Sequence, residues 1–215
     1  MSALDDGSLA NDDLRQVLSA AELAEADRRS DAAEHRHILF RRSFQRLFVG
    51  RAIGWQQSPA ALALHHATDR PPVCGDAPGL SLSFSSSGAV CVAAAAPSAR
   101  LGVDIEERRD IANVEALARR FFTPDEAELV SGTPAPLRSG LFQTLWCAKE
   151  AGLKAMGRGI VSGLNTFALQ PDGDGWKIID SGTGDSEFWQ LWFCTTLPRH
   201  IVAVMHRPAI NSRAR

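Results

Sequence analysis

Gly102-Val103-Asp104-Ile105-Glu106 alternates apolar and acidic side chains, the period-two pattern of a strand with one face in the core. Val103 and Ile105 take the inner face. Asp104 and Glu106, at i and i+2, share the other, about 7 Å apart. Downstream, Ser139 to Met156 predicts a long helix stopped by Gly157. On it Trp146, Glu150 and Lys154 follow one another at i, i+4 spacing with Lys149 beside them, so one helix face carries an aromatic ring, an acid and a base.

Working outward, Leu80, Leu82 and Phe84 alternate with serines, a Ser/Gly turn is expected from Ser85 to Gly88, and Val90 and Val92 resume the alternation, which predicts a hairpin. Further back, Ala61 to Ala67 reads as a short strand before Asp69-Arg70-Pro71-Pro72. A long helix is expected from an N-cap at Ser30, with Ile38, Phe40, Phe44, Leu47, Phe48 and Trp55 as its apolar stripe. Arg36, Arg41, Arg42, Arg46 and Arg51 fill its remaining, solvated surface. Leu14, Val17, Leu18 and Ala21 predict one short amphipathic helix.

After the acidic strand, Ile111 to Phe122 predicts a helix, and Thr123-Pro124-Asp125-Glu126 is a capping box opening the next. Residues 133–140 read as a loop, Thr166 to Gln170 and Trp176 to Ile179 as strands around a turn, and Phe188 to Thr196 with Ile201 to His206 as a second long hairpin. Each half thus has helix followed by antiparallel hairpin, an α+β pattern. The expected organisation is a loose tail over residues 1–10, one lobe over 11–98, a second over 99–207 carrying the acidic and basic motifs, and a tail over 208–215.

Composition narrows the functions. With 215 residues and 45% hydrophobic content the chain can bury a sizeable core. A formal net charge of -2 gives no whole-protein attraction to nucleic acid or anionic membrane. The bases are 20 arginines against only Lys149, Lys154 and Lys177, so two of three lysines lie in the acid-and-base helix. Cys74, Cys91, Cys147 and Cys194 lack zinc-ligand spacing and read as free thiols of a reducing compartment. A cytoplasmic protein without a membrane span is expected.

Paired carboxylates on one strand face suit a hard divalent cation, since magnesium takes oxygen ligands and keeps positions for water and substrate phosphate. The same pair is also what the solvent face of an edge strand looks like, and Glu150 with Lys154 is also an ordinary helix ion pair contributing about 0.2 to 0.5 kcal/mol. Their conjunction in one chain favours a site. Metal-dependent phosphoryl transfer, including nuclease chemistry, fits acid clusters with a lysine, although no basic stripe for nucleic acid is present.

Gly-Val-Asp-Ile-Glu followed some forty residues later by Leu145-Trp146-Cys147-Ala148-Lys149-Glu150-Ala151-Gly152-Leu153-Lys154 resembles the paired signature of 4'-phosphopantetheinyl transferases, specifically the surfactin-synthetase-activating (Sfp-like) type. Arg120 to Glu126 resembles the segment that links the two motifs, Arg70-Pro71 a Lys/Arg-Pro element, and Leu82 to Gly88 a strand that commonly ends in Ser-His-Ser. This chain has Ser85-Ser86-Ser87 there, with Ser86 where the family has histidine.

The resemblance implies a pseudo-dimer of two similar lobes, each an antiparallel sheet packed on a long helix, with coenzyme A between them. It implies transfer of the phosphopantetheine arm of coenzyme A onto a serine of an acyl or peptidyl carrier protein, as in secondary metabolism, by a monomer. Asp104, Glu106 and Glu150 would hold Mg2+, Glu150 would take the serine proton, and Lys154 would stabilise or protonate the departing phosphate. Coenzyme A contacts would come from Arg36, His37, Arg42, Arg70, Ser86, Ser87, Asp104, Lys149 and Lys154. Glu126 would support the site or serve its capping box. Carrier docking is expected beside the cleft, on the helix after Thr123 and the preceding loop. The rival within the family is a member that binds coenzyme A or carrier protein without transfer, motivated by the missing imidazole.

Overall fold

A computed structural model describes residues 10–208 except 68–69, 98, 159–162 and 181–188. The expected tails lie outside the described residues but for Ala10 and Pro208, as does Phe188. Three helices open the chain: α1 (Asn11–Gln16), α2 (Ala20–Asp27) and α3 (Ala32–Ala52). The single short helix expected around Leu14 to Ala21 is two, because Ser19 turns the backbone extended and caps α2 in a reciprocal box with Glu22. α3 is capped by Asp31, whose carboxylate accepts from the Glu34 amide, and not by Ser30.

The arginines of α3 are not one solvated face. Arg46 is 2% exposed, with Nε on the Glu22 carboxylate and Nη1 on the Pro59 and Leu62 carbonyls. It ties α2, α3 and the 3-10 turn Pro59–Ala61 together. Trp55 lies beyond the helix in a left-handed conformation, φ 55°, and is exposed.

β1 (Leu64–Ala67) pairs antiparallel with β2 (Arg70–Cys74), a strand not expected because Pro71 and Pro72 remove two amide donors; a register shift at His65/Ala67 leaves both prolines out of the pairing. β3 (Leu80–Ser87) and β4 (Val90–Pro97) form a hairpin in unbroken register from Leu80↔Pro97 to Ser87↔Val90. The turn is therefore at Gly88, φ 57°, and Ala89; Ser85, Ser86 and Ser87 belong to the strand and not to the turn.

β5 (Arg100–Glu107) leads to α4 (Val114–Phe121), α5 (Pro124–Gly132) and α6 (Ala135–Ala155). α6 starts four residues before the expected Ser139, since Pro134 serves as its N-cap and Pro136 falls in its first turn, where a missing amide costs nothing. Hairpin β6 (Phe167–Asp172) and β7 (Gly175–Asp180) follows, then β8 (Gln190–Cys194) and β9 (His200–Arg207), with strand order β5-β9-β8 in an antiparallel sheet.

The largest apolar cluster surrounds α6, from Val114 and Phe142 to Phe167 and Met205. A second joins the halves: Val92 of β4 meets Val103 and Ile105 of β5 and Val202 of β9. No backbone ladder joins β3 to β5 among the described residues; serine hydroxyls do that work. Ser81 Oγ donates to the Ala99 carbonyl at 2.5 Å, Ser83 Oγ accepts from the Val103 amide at 2.9 Å, and Ser87 Oγ from the Glu107 amide at 3.1 Å. On its other side β5 presses on α6 at Gly102. A Cβ there would lie 2.6 Å from the Ala155 nitrogen and closer still to the Ala151 carbonyl oxygen. Among the described residues no helix is long and apolar enough to cross a membrane.

Candidate active site

That close approach sets β5 and α6 face to face. Lys154, in the last turn of α6, donates from Nζ to Asp104 Oδ1 at 2.8 Å and to the Val103 carbonyl at 3.0 Å. Ser85 Oγ donates to the same Asp104 oxygen at 2.8 Å. Oδ2 of Asp104 is buried with no hydrogen-bond partner, an arrangement that costs about 1 to 3 kcal/mol unless something else meets it.

Glu150 lies one turn before Lys154 and is 7% exposed. Burial first, then the Asp104 and Glu106 charges, push its carboxyl up to about 7 against the pull of Lys154. Glu106 is also raised, by burial and by Asp104, with Arg109 and Lys154 opposing. Trp146 stands against Glu106, packed edge-on to Phe121 with centroids 5.4 Å apart.

As the side chains stand, no group of three His, Cys, Asp or Glu residues among the described residues is arranged to hold a metal ion. The donor chemistry nevertheless fits a hard cation: an orphaned buried oxygen on Asp104, and two neighbouring carboxyls whose ionisation is resisted by burial and by the Asp104 charge.

A cleft of about 280 Å3 opens at Glu150 and Lys154, lined also by Gln45, Phe84, Arg70 and Arg158. A wider one of about 800 Å3 continues it past Pro71, Pro72 and Lys154 to Arg100 and Arg207. Arg70, expected as a coenzyme A contact, lines the same cleft as Glu150 and Lys154, and Arg158, which sequence reasoning missed, stands with it.

Other expected contacts are placed differently. Lys149 is fully buried, with Nζ donating to Glu126 Oε1 and to the Phe167 carbonyl, each at 2.6 Å, and lying 4.6 Å from the Phe167 ring centroid. It has no open side for a phosphate, so the expected contact gives way to a core role. Glu126, 1% exposed, holds its capping box through Oε2 and accepts from Lys149 and the Leu169 amide through Oε1. Its part is to fasten α5 to α6 and β6.

On α3, Arg42 is forked onto Glu25 from Nε and Nη2, and Arg36 donates to Asn11 at 2.6 Å. His37 is exposed at the far end of the helix. Ser87 is spent on the Glu107 amide, whereas Ser86 lines a cleft with Arg41. Ser85, absent from the expected set, is the serine that touches Asp104. The alternation of the serines with Leu82 and Phe84 was the available signal for it.

A sequence profile described as "4'-phosphopantetheinyl transferase superfamily" matches residues 100–205, from the start of β5 into β9. The matched segment contains Asp104, Glu106, Glu150 and Lys154. The 4'-phosphopantetheinyl transferase HetI of Nostoc sp. is 32% identical over 151 residues, 69% of this chain and 63% of that protein. The 4'-phosphopantetheinyl transferase psf-1 of Bacillus pumilus is 38% identical over 104 residues, 48% of this chain and 43% of its own. The chain thus spans less than two thirds of either relative's length. Among solved structures, the holo-[acyl-carrier-protein] synthase of Thermotoga maritima superimposes on 51% of this chain and 63% of its own, with a TM-score of 0.41 and 18% identity.

Proposed function

We propose that the protein is an Sfp-like 4'-phosphopantetheinyl transferase, moving the phosphopantetheine arm of coenzyme A onto a serine of an acyl or peptidyl carrier protein. The single observation that carries this reading is the Lys154–Asp104 pair at 2.8 Å, with an unpartnered Asp104 oxygen and the buried Glu150 carboxyl beside it at the cleft. The superfamily segment supports it.

In the reaction, the serine oxygen attacks the β-phosphate of coenzyme A, a bond to phosphorus forms, and the bond to 3',5'-ADP breaks. Glu150, held near neutrality, accepts the serine proton; a base whose pKa lies near working pH combines availability with driving force. Lys154 swings from Asp104 towards the leaving phosphate and stabilises or protonates it. Arg70 and Arg158 hold phosphate oxygens at the cleft rim. Magnesium, held by Asp104, Glu106 and Glu150, would neutralise charge on the pyrophosphate.

Residues 11–98 and 99–207 act in this reading as two lobes of a pseudo-dimer, centred on α3 and α6, with coenzyme A between them. Carrier protein would dock beside the cleft on α5 and the preceding loop. All four cysteines are free thiols, which supports a cytoplasmic setting, and a monomer suffices because both motifs come from one chain.

Incubation of an apo carrier protein with the enzyme, coenzyme A and magnesium should add about 340 Da, the mass of one transferred arm. Unchanged mass across fatty-acid, polyketide and peptide-synthetase carriers would overturn the transferase reading in favour of a coenzyme A or carrier-protein binder.

A further inference from the structure

Every second residue of β3 from Ser81 to Ser87 turns a hydroxyl towards β5, as the period of a strand requires. Ser81 meets the Ala99 backbone, Ser83 the Val103 amide and Ser87 the Glu107 amide. Those partners advance along β5 as the serines advance along β3, so the two strands run parallel and are stitched through side chains. Three of the four stitches end on backbone. Ser85 is the exception, donating to the Asp104 carboxylate at 2.8 Å.

The exception falls on a carboxylate whose two oxygens are treated unequally. Oδ1 of Asp104 accepts from Ser85 Oγ and Lys154 Nζ, whereas Oδ2 is buried and accepts from neither. Two donors on Oδ1 fix the plane of the group and hence the place of Oδ2. The two differ in kind. Lys154 brings a positive charge, which competes with any cation at Asp104, and it lies in a side chain about a third exposed. The Ser85 hydroxyl is neutral, and its strand is locked to β4 by the Ser85↔Val92 pairing. It can satisfy one oxygen without neutralising the carboxylate. The hydroxyl comes from one half of the chain and the carboxylate from the other, so the aim of Asp104 depends on the apolar contact between β4 and β5 that joins them.

We propose that Ser85 is a positioning residue for Asp104, holding Oδ1 so that Oδ2 stays in place for a cation, and remaining as the anchor when Lys154 turns to the leaving phosphate. The second part rests on the transferase reading. Ser85 acts through Asp104 and touches neither metal nor the reacting phosphate.

The test is titration of the full chain with Mn2+, which takes the same oxygen ligands as magnesium and is counted when free by its electron paramagnetic resonance signal. Ser85→Ala should weaken Mn2+ binding about tenfold, the range seen when a ligand's hydrogen-bond partner is removed, and Ser85→Thr should restore it to within about threefold. Ser81→Ala loosens the same seam away from Asp104. It should keep Mn2+ affinity within about twofold of wild type. In a Lys154→Ala background, where Ser85 is the remaining donor to Oδ1, Ser85→Ala should cost more than it does alone. In carrier-protein transfer at saturating magnesium, Ser85→Ala should lower kcat about tenfold with KM for coenzyme A within about threefold. Unchanged Mn2+ affinity in Ser85→Ala, or an equal loss in Ser81→Ala, overturns the assignment. So does a wild type that binds no Mn2+, or a rise in KM alone, which would make Ser85 a coenzyme A contact. An equal cost with and without Lys154 removes the role as remaining anchor. Because Mn2+ binding needs no carrier protein, a wild type that binds the metal but transfers nothing counts against the transferase reading while the Ser85 comparison still stands or falls on affinity.

Discussion

Lys149 and Lys154 stand five residues apart on one helix, each paired to a carboxylate at under 3 Å, and they do opposite things. Around Lys149 every group is answered: its ammonium meets Glu126 and the Phe167 carbonyl, and Glu126 meets an amide and its own cap. Around Lys154 the books do not close. Its side chain is about a third exposed, Asp104 keeps an orphaned oxygen, and two further acids crowd in. A satisfied buried pair fastens a fold, and an unsatisfied one at a cleft is a place for a ligand.

The most severe test of this contrast is Asp104→Ala. Carrier-protein transfer should fall by about 10^4-fold or more, close to 5 kcal/mol of barrier at 1.36 kcal/mol per decade, with the melting temperature within a few degrees of wild type. Activity within tenfold of wild type would erase the distinction between the two pairs.

The converse is Lys149→Met, which strands the Glu126 charge in the core. A loss of about 3 to 5 kcal/mol in denaturant unfolding is expected, with transfer per folded molecule unchanged at low temperature. A stable but inactive variant would move Lys149 into the chemistry.

The smallest effect comes from Glu150. Its folded carboxyl is raised to about 7 from an ordinary 4.5, so between those values the folded state binds more protons than the unfolded one and stability falls as pH rises. In EDTA the contribution is about 1 to 3 kcal/mol across that window, and Glu150→Gln should remove it. Magnesium should oppose the decline in wild type and not in Asp104→Ala. A flat stability profile in wild type would show that the crowding of the three acids is relieved some other way.

The contrast also marks what the sequence could reveal. β5 and α6 were legible because their side chains state a period: Val103 and Ile105 against Asp104 and Glu106, then Trp146, Glu150 and Lys154. The same spacing put Lys149 next to the site on paper, and only Glu126, 23 residues earlier, reveals that it points elsewhere. Arg41 and Arg42 are alike in sequence and are separated by a carboxylate 17 residues before Arg42. β2 was hidden by its prolines and the start of α6 by Pro134 and Pro136, residues that act as breakers or initiators according to which amides need partners. Chain-distant partners, more than local propensity, account for what was missed.

Gly102 has a bearing on how this protein can change over generations. Any single-base change that alters a glycine codon's residue introduces a side chain or a stop. Here even a methyl group would meet the α6 backbone, which has no rotamer to move aside. Beyond silent changes, position 102 thus has no replacement one base away that the packing accepts, and the spacing between Asp104 and Lys154 is inherited as a fixed dimension.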